Sequence, residues 1–211
     1  VIIYELPHGD HEVAHGEFSF QFQRAFHGLP LEDRFLGTGA KTCFESGRKS
    51  ARQPDASFIP SCLPKPSPNP SDAQGNPWPT IVCEVARSQS LASVIQKVNS
   101  FWLAPNRVED VIVFKLWPWN HGTDTNGRPL RRLTVHKHPS KSCTGKLEFG
   151  TINKYGVPYN GCSASGMRTL TIARECAYEG CTPPYPPYPI AGNVVIDLFD
   201  IQRAVFKAQG I

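Results

Sequence analysis

The chain has 211 residues, of which 40% are hydrophobic and 19% charged, a balance that suits a folded globular protein and excludes a disordered one. Its formal net charge is +4, which permits nucleic acid as a partner without the basic excess of a histone-like protein. No stretch approaches the length of a membrane span, so no membrane partner is expected, and Glu5 and Asp10 stand where a leader would be basic and then apolar. Because the chain begins at Val1 and holds a single methionine, Met167, trimming at the N-terminus is expected.

In chain order, Ala14, Phe18, Phe22, Ala25, Phe26 and Leu29 recur every three or four residues and predict an amphipathic helix from His11 to about Gly28. Glu17 and Gln21 lie one turn apart on its flank, either solvated or turned toward a metal. His8, His11 and His15 invite a zinc reading, but no cysteine or carboxylate completes a ligand set at suitable spacing, so capping and packing roles are expected. Residues 36–59 read as two or three strands bent at Gly37, Gly39 and Gly47, with Arg48, Lys49 and Arg52 as a basic cluster.

Residues 60–79 hold seven prolines and cannot lie inside a sheet; this is a loop, and Trp78 at its edge either stacks on a base or covers the core. Beyond it, Ser90 offers an N-cap, and Leu91, Val94, Ile95, Val98 and Trp102 recur at helical spacing. A strand follows at Val111–Phe114. From Leu116 to Gly166 the pattern is weak. There Trp117 and Trp119, followed by Arg131, Arg132, His136, Lys137 and His138, suit either a single-strand-binding surface or a solvated hairpin.

Thr169–Ala173 and Val194–Phe199 read as strands, and Asp200–Ala208 as a closing helix. Between those strands, the proline–tyrosine run Pro183–Pro189 suits a rigid connector or a ligand for a proline-binding module. The seven cysteines (Cys43, Cys62, Cys83, Cys143, Cys162, Cys176 and Cys181) form no Cys-x-x-Cys pair. Their odd number and scatter argue against a disulfide framework or a zinc knuckle and imply a reducing compartment, cytoplasmic or nuclear.

Two acidic residues stand on apolar, strand-like runs: Asp55 in Pro54-Asp55-Ala56-Ser57-Phe58-Ile59, and Glu84 in Pro79-Thr80-Ile81-Val82-Cys83-Glu84-Val85. Carboxylates are rare in such surroundings unless paired, and two on neighbouring strands repel unless a cation lies between them. A hard divalent ion held by carboxylate and backbone oxygens would resolve this; without it, at least one carboxyl should have a raised pKa. The plainer alternative is that Asp55 ends a loop and Glu84 faces solvent. Lys97 falls on the flank of the apolar stripe of the helix after Glu84 and can return its ammonium to the carboxylates. Metal-dependent phosphodiester hydrolysis uses this set of groups.

Pro54-Asp55-x-Ser57-Phe58, then Pro79-x-Ile81-Val82-x-Glu84-Val85-x-x-Ser88, then Lys97-Val98, together resemble the Uma2-type putative restriction endonuclease family of the PD-(D/E)XK nuclease superfamily. The likeness extends back to His11–Phe18 and forward to Val108–Val113, covering about residues 4–115. It implies an α/β fold, a restriction-endonuclease-like mixed β-sheet core flanked by helices, with a C-terminal extension from about 116 to 211 in the same domain. It also implies a magnesium- or manganese-dependent nuclease. Asp55, Glu84 and Lys97 would be catalytic, and Asp55, Glu84 and the Val85 carbonyl would hold the metal. Nucleic acid would be the partner, DNA ahead of RNA, with a homodimer allowed. The chain departs from the superfamily pattern at Glu84-Val85-Ala86, where a lysine two residues after the glutamate is missing, so that role passes to Lys97 or to Gln96. Two alternatives stand beside the nuclease: an inactive binding module with the same fold, and a partner-binding protein working through its proline-rich segments.

Overall fold

The computed structural model describes residues 8–45, 50–119, 121–141, 144–182 and 192–210. Gly47, Arg48, Lys49, Cys143 and the Pro183–Pro189 run, on which sequence expectations rest, lie outside the described residues.

The helical stripe from Ala14 to Phe26 forms α1 (Gly9–Arg24), which buries Ala14, Phe18 and Phe22. The strands that follow are β1 (Phe35–Gly37), β2 (Cys43–Phe44), β3 (Ala51–Arg52), β4 (Ala56–Pro60) and β5 (Ile81–Ala86). Next comes α2 (Leu91–Lys97), capped by the Ser90 hydroxyl, which accepts from the Ser93 N–H, and it continues into a π-turn at Val98–Trp102. The remaining elements are β6 (Asp110–Leu116), β7 (Arg132–Pro139), β8 (Gly145–Gly150), β9 (Thr169–Ile172), the short helix α3 (Arg174–Ala177), β10 (Val194–Asp197) and α4 (Leu198–Lys207). Strand β10 ends earlier than the hydrophobic run because Asp197 turns its carboxylate onto the Phe199 N–H and starts the closing helix at Leu198.

The main sheet has the order β1-β4-β5-β6-β7-β8. Every neighbouring pair is antiparallel except β5 and β6, which are parallel and joined across the sheet by α2. Strand alternation sorts β5 cleanly. Ile81, Cys83 and Val85 join α1 and α4 in one apolar cluster, whereas Val82 and Ala86 join Val94, Val98, Phe101 and Trp102 in a second. The sheet is therefore covered on both faces, and the mixed α/β architecture agrees with the sequence expectation.

Strands β7 and β8 lie where the sequence pattern was weak. Arg131, His136 and His138 are buried, and Lys137 Nζ sits 3.2 Å from Asp110 Oδ2. This corrects the solvated part of the hairpin reading: β7 and β8 do pair as an antiparallel hairpin, but His136 and His138 are buried within the sheet. Arg131, only 2% exposed, pairs at 2.9 Å with buried Asp10. Trp78 is buried against Phe101, so it covers the core. Cys62 and Cys181 form a disulfide with Cα atoms 5.9 Å apart, tying the proline-rich loop to the end of the α3 segment. The expectation of no disulfide is thereby corrected; cysteine count and spacing carry no information on which side chains folding brings together.

Candidate functional site

Parity along β5 puts Glu84 on the same face as Val82 and Ala86, beneath α2 and the π-turn. It is 4% exposed. Lys97 Nζ approaches Glu84 Oε2 at 2.6 Å, and the Trp102 indole N–H donates to Oε1, also at 2.6 Å. In an unbroken α-helix, residues 97 and 102 would project about 140° apart. The π-turn, closed by the Leu103 N–H on the Val98 carbonyl at 2.9 Å, widens the helix there and lets both side chains reach one carboxylate. Gln96, the alternative to Lys97, is exposed.

Asp55 stands just before β4, where the pairing of β4 with β5 ends at Ala56 and Cys83. Its N–H donates to the Cys83 carbonyl at 3.1 Å, and its Oδ2 accepts the Val85 N–H at 2.6 Å. Backbone groups two residues apart share one strand edge, and a residue's N–H and C=O point the same way. The Val85 carbonyl therefore faces the edge where Asp55 lies. On the other side of Asp55, His11 Nε2 lies 3.4 Å from Oδ1. Arg87, directly after β5, pairs at 3.0 Å with Asp10, the neighbour of His11.

The electrostatics of the two carboxylates differ. Burial is the largest influence on Glu84 and raises its pKa to about 7; the Asp55 charge adds to the rise while Lys97 and Trp102 oppose it. Burial also works against ionised Asp55, but His11, the Val85 amide and Lys97 outweigh it and hold the carboxyl below its ordinary value. Burial opposes a charged His11 ring as well, yet its bonds to Asp55 and Glu12 prevail and raise its pKa to about 9. One carboxyl is thus raised, as like-charge proximity predicts, although burial contributes more than repulsion.

Asp55 is thus bonded to the residue after Glu84, Lys97 is paired with Glu84, and the charges of Asp55 and Lys97 are both felt at Glu84. Glu17 and Gln21 are engaged elsewhere: Gln21 bonds Glu17 at 3.0 Å and clamps the backbone of Asp197 at 3.2 and 2.7 Å. Two members of the site were read otherwise in the sequence. Trp102 counted only as an apolar stripe position, and its indole N–H betrays nothing in a hydropathy pattern. His11 was expected to cap or pack; its place one residue after Asp10, at the start of α1, was the available signal. A scan of the chain against protein-family models matches none, and no curated protein is significantly similar to it.

Proposed function

We propose that the protein is a divalent-metal-dependent nuclease of the PD-(D/E)XK kind, resembling the Uma2-type family, which hydrolyses phosphodiester bonds in nucleic acid, DNA ahead of RNA. The observation that supports this reading is the Lys97–Glu84 contact at 2.6 Å, with Asp55 bonded to the amide of Val85, the next residue along β5. The donor set fits Mg²⁺ or Mn²⁺, because two carboxylates and the strand-edge Val85 carbonyl are all hard oxygen donors. Burying Glu84 beside Asp55 also creates a charge problem that a dication relieves. Such an ion supplies polarisation of a phosphoryl oxygen and a more acidic bound water.

The chain's own groups do the rest. Lys97 places a compact positive charge where negative charge grows on the phosphoryl oxygens. Trp102 fixes the rotamer of Glu84, and His11 with the Val85 amide fixes that of Asp55. Plasmid and oligonucleotide cleavage in Mg²⁺ or Mn²⁺, with Asp55→Ala as control, tests the reading. Cleavage lost in Asp55→Ala supports it; equal cleavage by both proteins refutes it.

A second reading, an inactive binding module, draws on the fact that Lys97 and Trp102 already engage both oxygens of Glu84. Nucleic-acid binding without cleavage by the wild type would select it. Cytoplasm or nucleus is the compartment proposed with the nuclease reading; the Cys62–Cys181 bridge, which reducing compartments disfavour, is the observation that weighs against it. No helix among the described residues is long and apolar enough to cross a membrane.

A further inference from the structure

The first turns of α1 carry a side-chain cluster that shares only His11 with the acidic pair. Glu12 lies between two imidazoles, with Oε1 3.0 Å from His11 Nδ1 and Oε2 3.2 Å from His15 Nε2. One ligand atom from each of the three residues lies within 4.8 Å of the other two. The helix dictates this grouping: residues 11 and 15 are one turn apart on the same face, and Glu12 is three residues before the second histidine. Glu12 is half exposed, so the cluster opens to solvent.

Asp55 supplies the support that a ligating imidazole needs. Its carboxylate lies 3.4 Å from His11 Nε2 and can only accept there, which favours a proton on that nitrogen and leaves Nδ1 to Glu12. A carboxylate on the far nitrogen is the usual backing of a metal-bound histidine, setting both tautomer and ring orientation. Two imidazole nitrogens and one carboxylate oxygen form a borderline donor set. It suits Zn²⁺ or Co²⁺, whereas Mg²⁺ prefers oxygen alone. With bonds of about 2.0–2.1 Å, tetrahedral ligand atoms stand about 3.4 Å apart. The cluster must contract by roughly an ångström, within reach of rotamer changes at Glu12 and His15.

We propose that His11 Nδ1, the Glu12 carboxylate and His15 Nε2 bind one transition-metal dication of the Zn²⁺ class, with Asp55 orienting His11. The ion replaces the proton shared between His11 and Glu12. Spacing of the His-Glu-x-x-His type is also found in metalloproteases, where the glutamate is a base and only the histidines ligate. Here the carboxylate stands between the two rings, which makes Glu12 a ligand. This site does not rest on the nuclease reading, and the two touch only through the His11–Asp55 contact.

Co²⁺ titration of the chelator-treated full chain, followed by visible absorption and by Zn²⁺ competition, tests the site. With saturating Mg²⁺ present to hold the acidic pair, one Co²⁺ should still bind and be displaced by Zn²⁺. Glu12→Gln and His15→Gln, both at accessible helix positions, should each weaken binding at least tenfold while leaving the melting profile intact. Asp55→Asn should weaken it about tenfold to a hundredfold. Glu84→Gln should leave it within about twofold. Binding by the Glu12→Gln/His15→Gln double variant as tight as wild type overturns the proposal. So does loss of binding in Glu84→Gln with retention in His15→Gln, which would move the ion to the acidic pair.

Discussion

Replacing Lys97, the last residue of α2, with methionine keeps most of the side chain's apolar stem and removes the ammonium 2.6 Å from Glu84. Removing one partner of a buried ion pair ordinarily costs about 3–5 kcal/mol, because the other charge is left stranded. Glu84 has a way out, since its pKa already lies near 7 and rises further without Lys97, so the variant holds it protonated. At pH 6 the carboxyl is largely neutral in both proteins, and the stability difference should be close to zero, about 0.5 kcal/mol or less. At pH 8 the wild type has released that proton and the variant has not. Keeping it costs about 1.4 kcal/mol for each pH unit above the wild-type pKa, so Lys97→Met should be less stable by about 1.4 kcal/mol. Urea unfolding at the two pH values measures this. Nucleic-acid cleavage in Mg²⁺ should fall about a hundredfold or more, the scale for losing one preorganised charge, and Lys97→Arg should restore little. A stability difference that does not change with pH would refute the protonation argument, and wild-type cleavage by Lys97→Met would refute the catalytic one.

Calorimetric titration should show Mn²⁺ binding to the wild type at least tenfold more tightly than to Asp55→Ala; equal binding would remove the acidic pair as the ion's site. Because the His11 pKa is raised from 6.5 to about 9, its pairing with Asp55 stabilises the fold fully below pH 6.5 and is lost as pH rises through 9. At about 1.4 kcal/mol per pH unit the contribution is at most about 3 kcal/mol; it should be seen as a decline in unfolding free energy that His11→Asn abolishes. Arg131→Met leaves buried Asp10, among the described residues, with the partly exposed Arg87 as its remaining cation and should cost about 3 kcal/mol in denaturant unfolding. Replacing Cys62 and Cys181 together with alanine opens a link spanning 119 residues and should lower stability by about 2–5 kcal/mol, read from the urea midpoint.

The parts of the fold legible in the sequence were those with a clean period or an apolar run. The stripe from Ala14 to Phe26 gave α1 and the Ser90 cap with its stripe gave α2, while an apolar run at Pro79–Val85, not a period, gave the strand that carries Glu84. Strand β7 and its pairing with β8 stayed hidden because His136 and His138, and Arg131 just before the strand, are buried, and their polarity mimics a surface until their surroundings are known. Lys97 could be placed on the correct helix face from a 100° step, but the contact of Trp102 with Glu84 depends on a π-turn that hydropathy does not encode. Glu12 was passed over for a related reason. Adjacent helix positions project about 100° apart, so sequence spacing does not show that the Glu12 carboxylate reaches both the His11 and His15 rings.

The bridge between Cys62 and Cys181 divides the candidate site topologically. Glu84, Val85 and Lys97 belong to the covalent ring that it closes, whereas Asp55 and His11 lie on the tail that precedes it. A protease cutting once between residues 63 and 180, the exposed proline-rich loop being the obvious place, would leave two pieces still joined through sulfur. The nicked protein would run as one band on a non-reducing gel and as two after reduction. Until reduction, both halves of the acidic pair would stay tethered to each other.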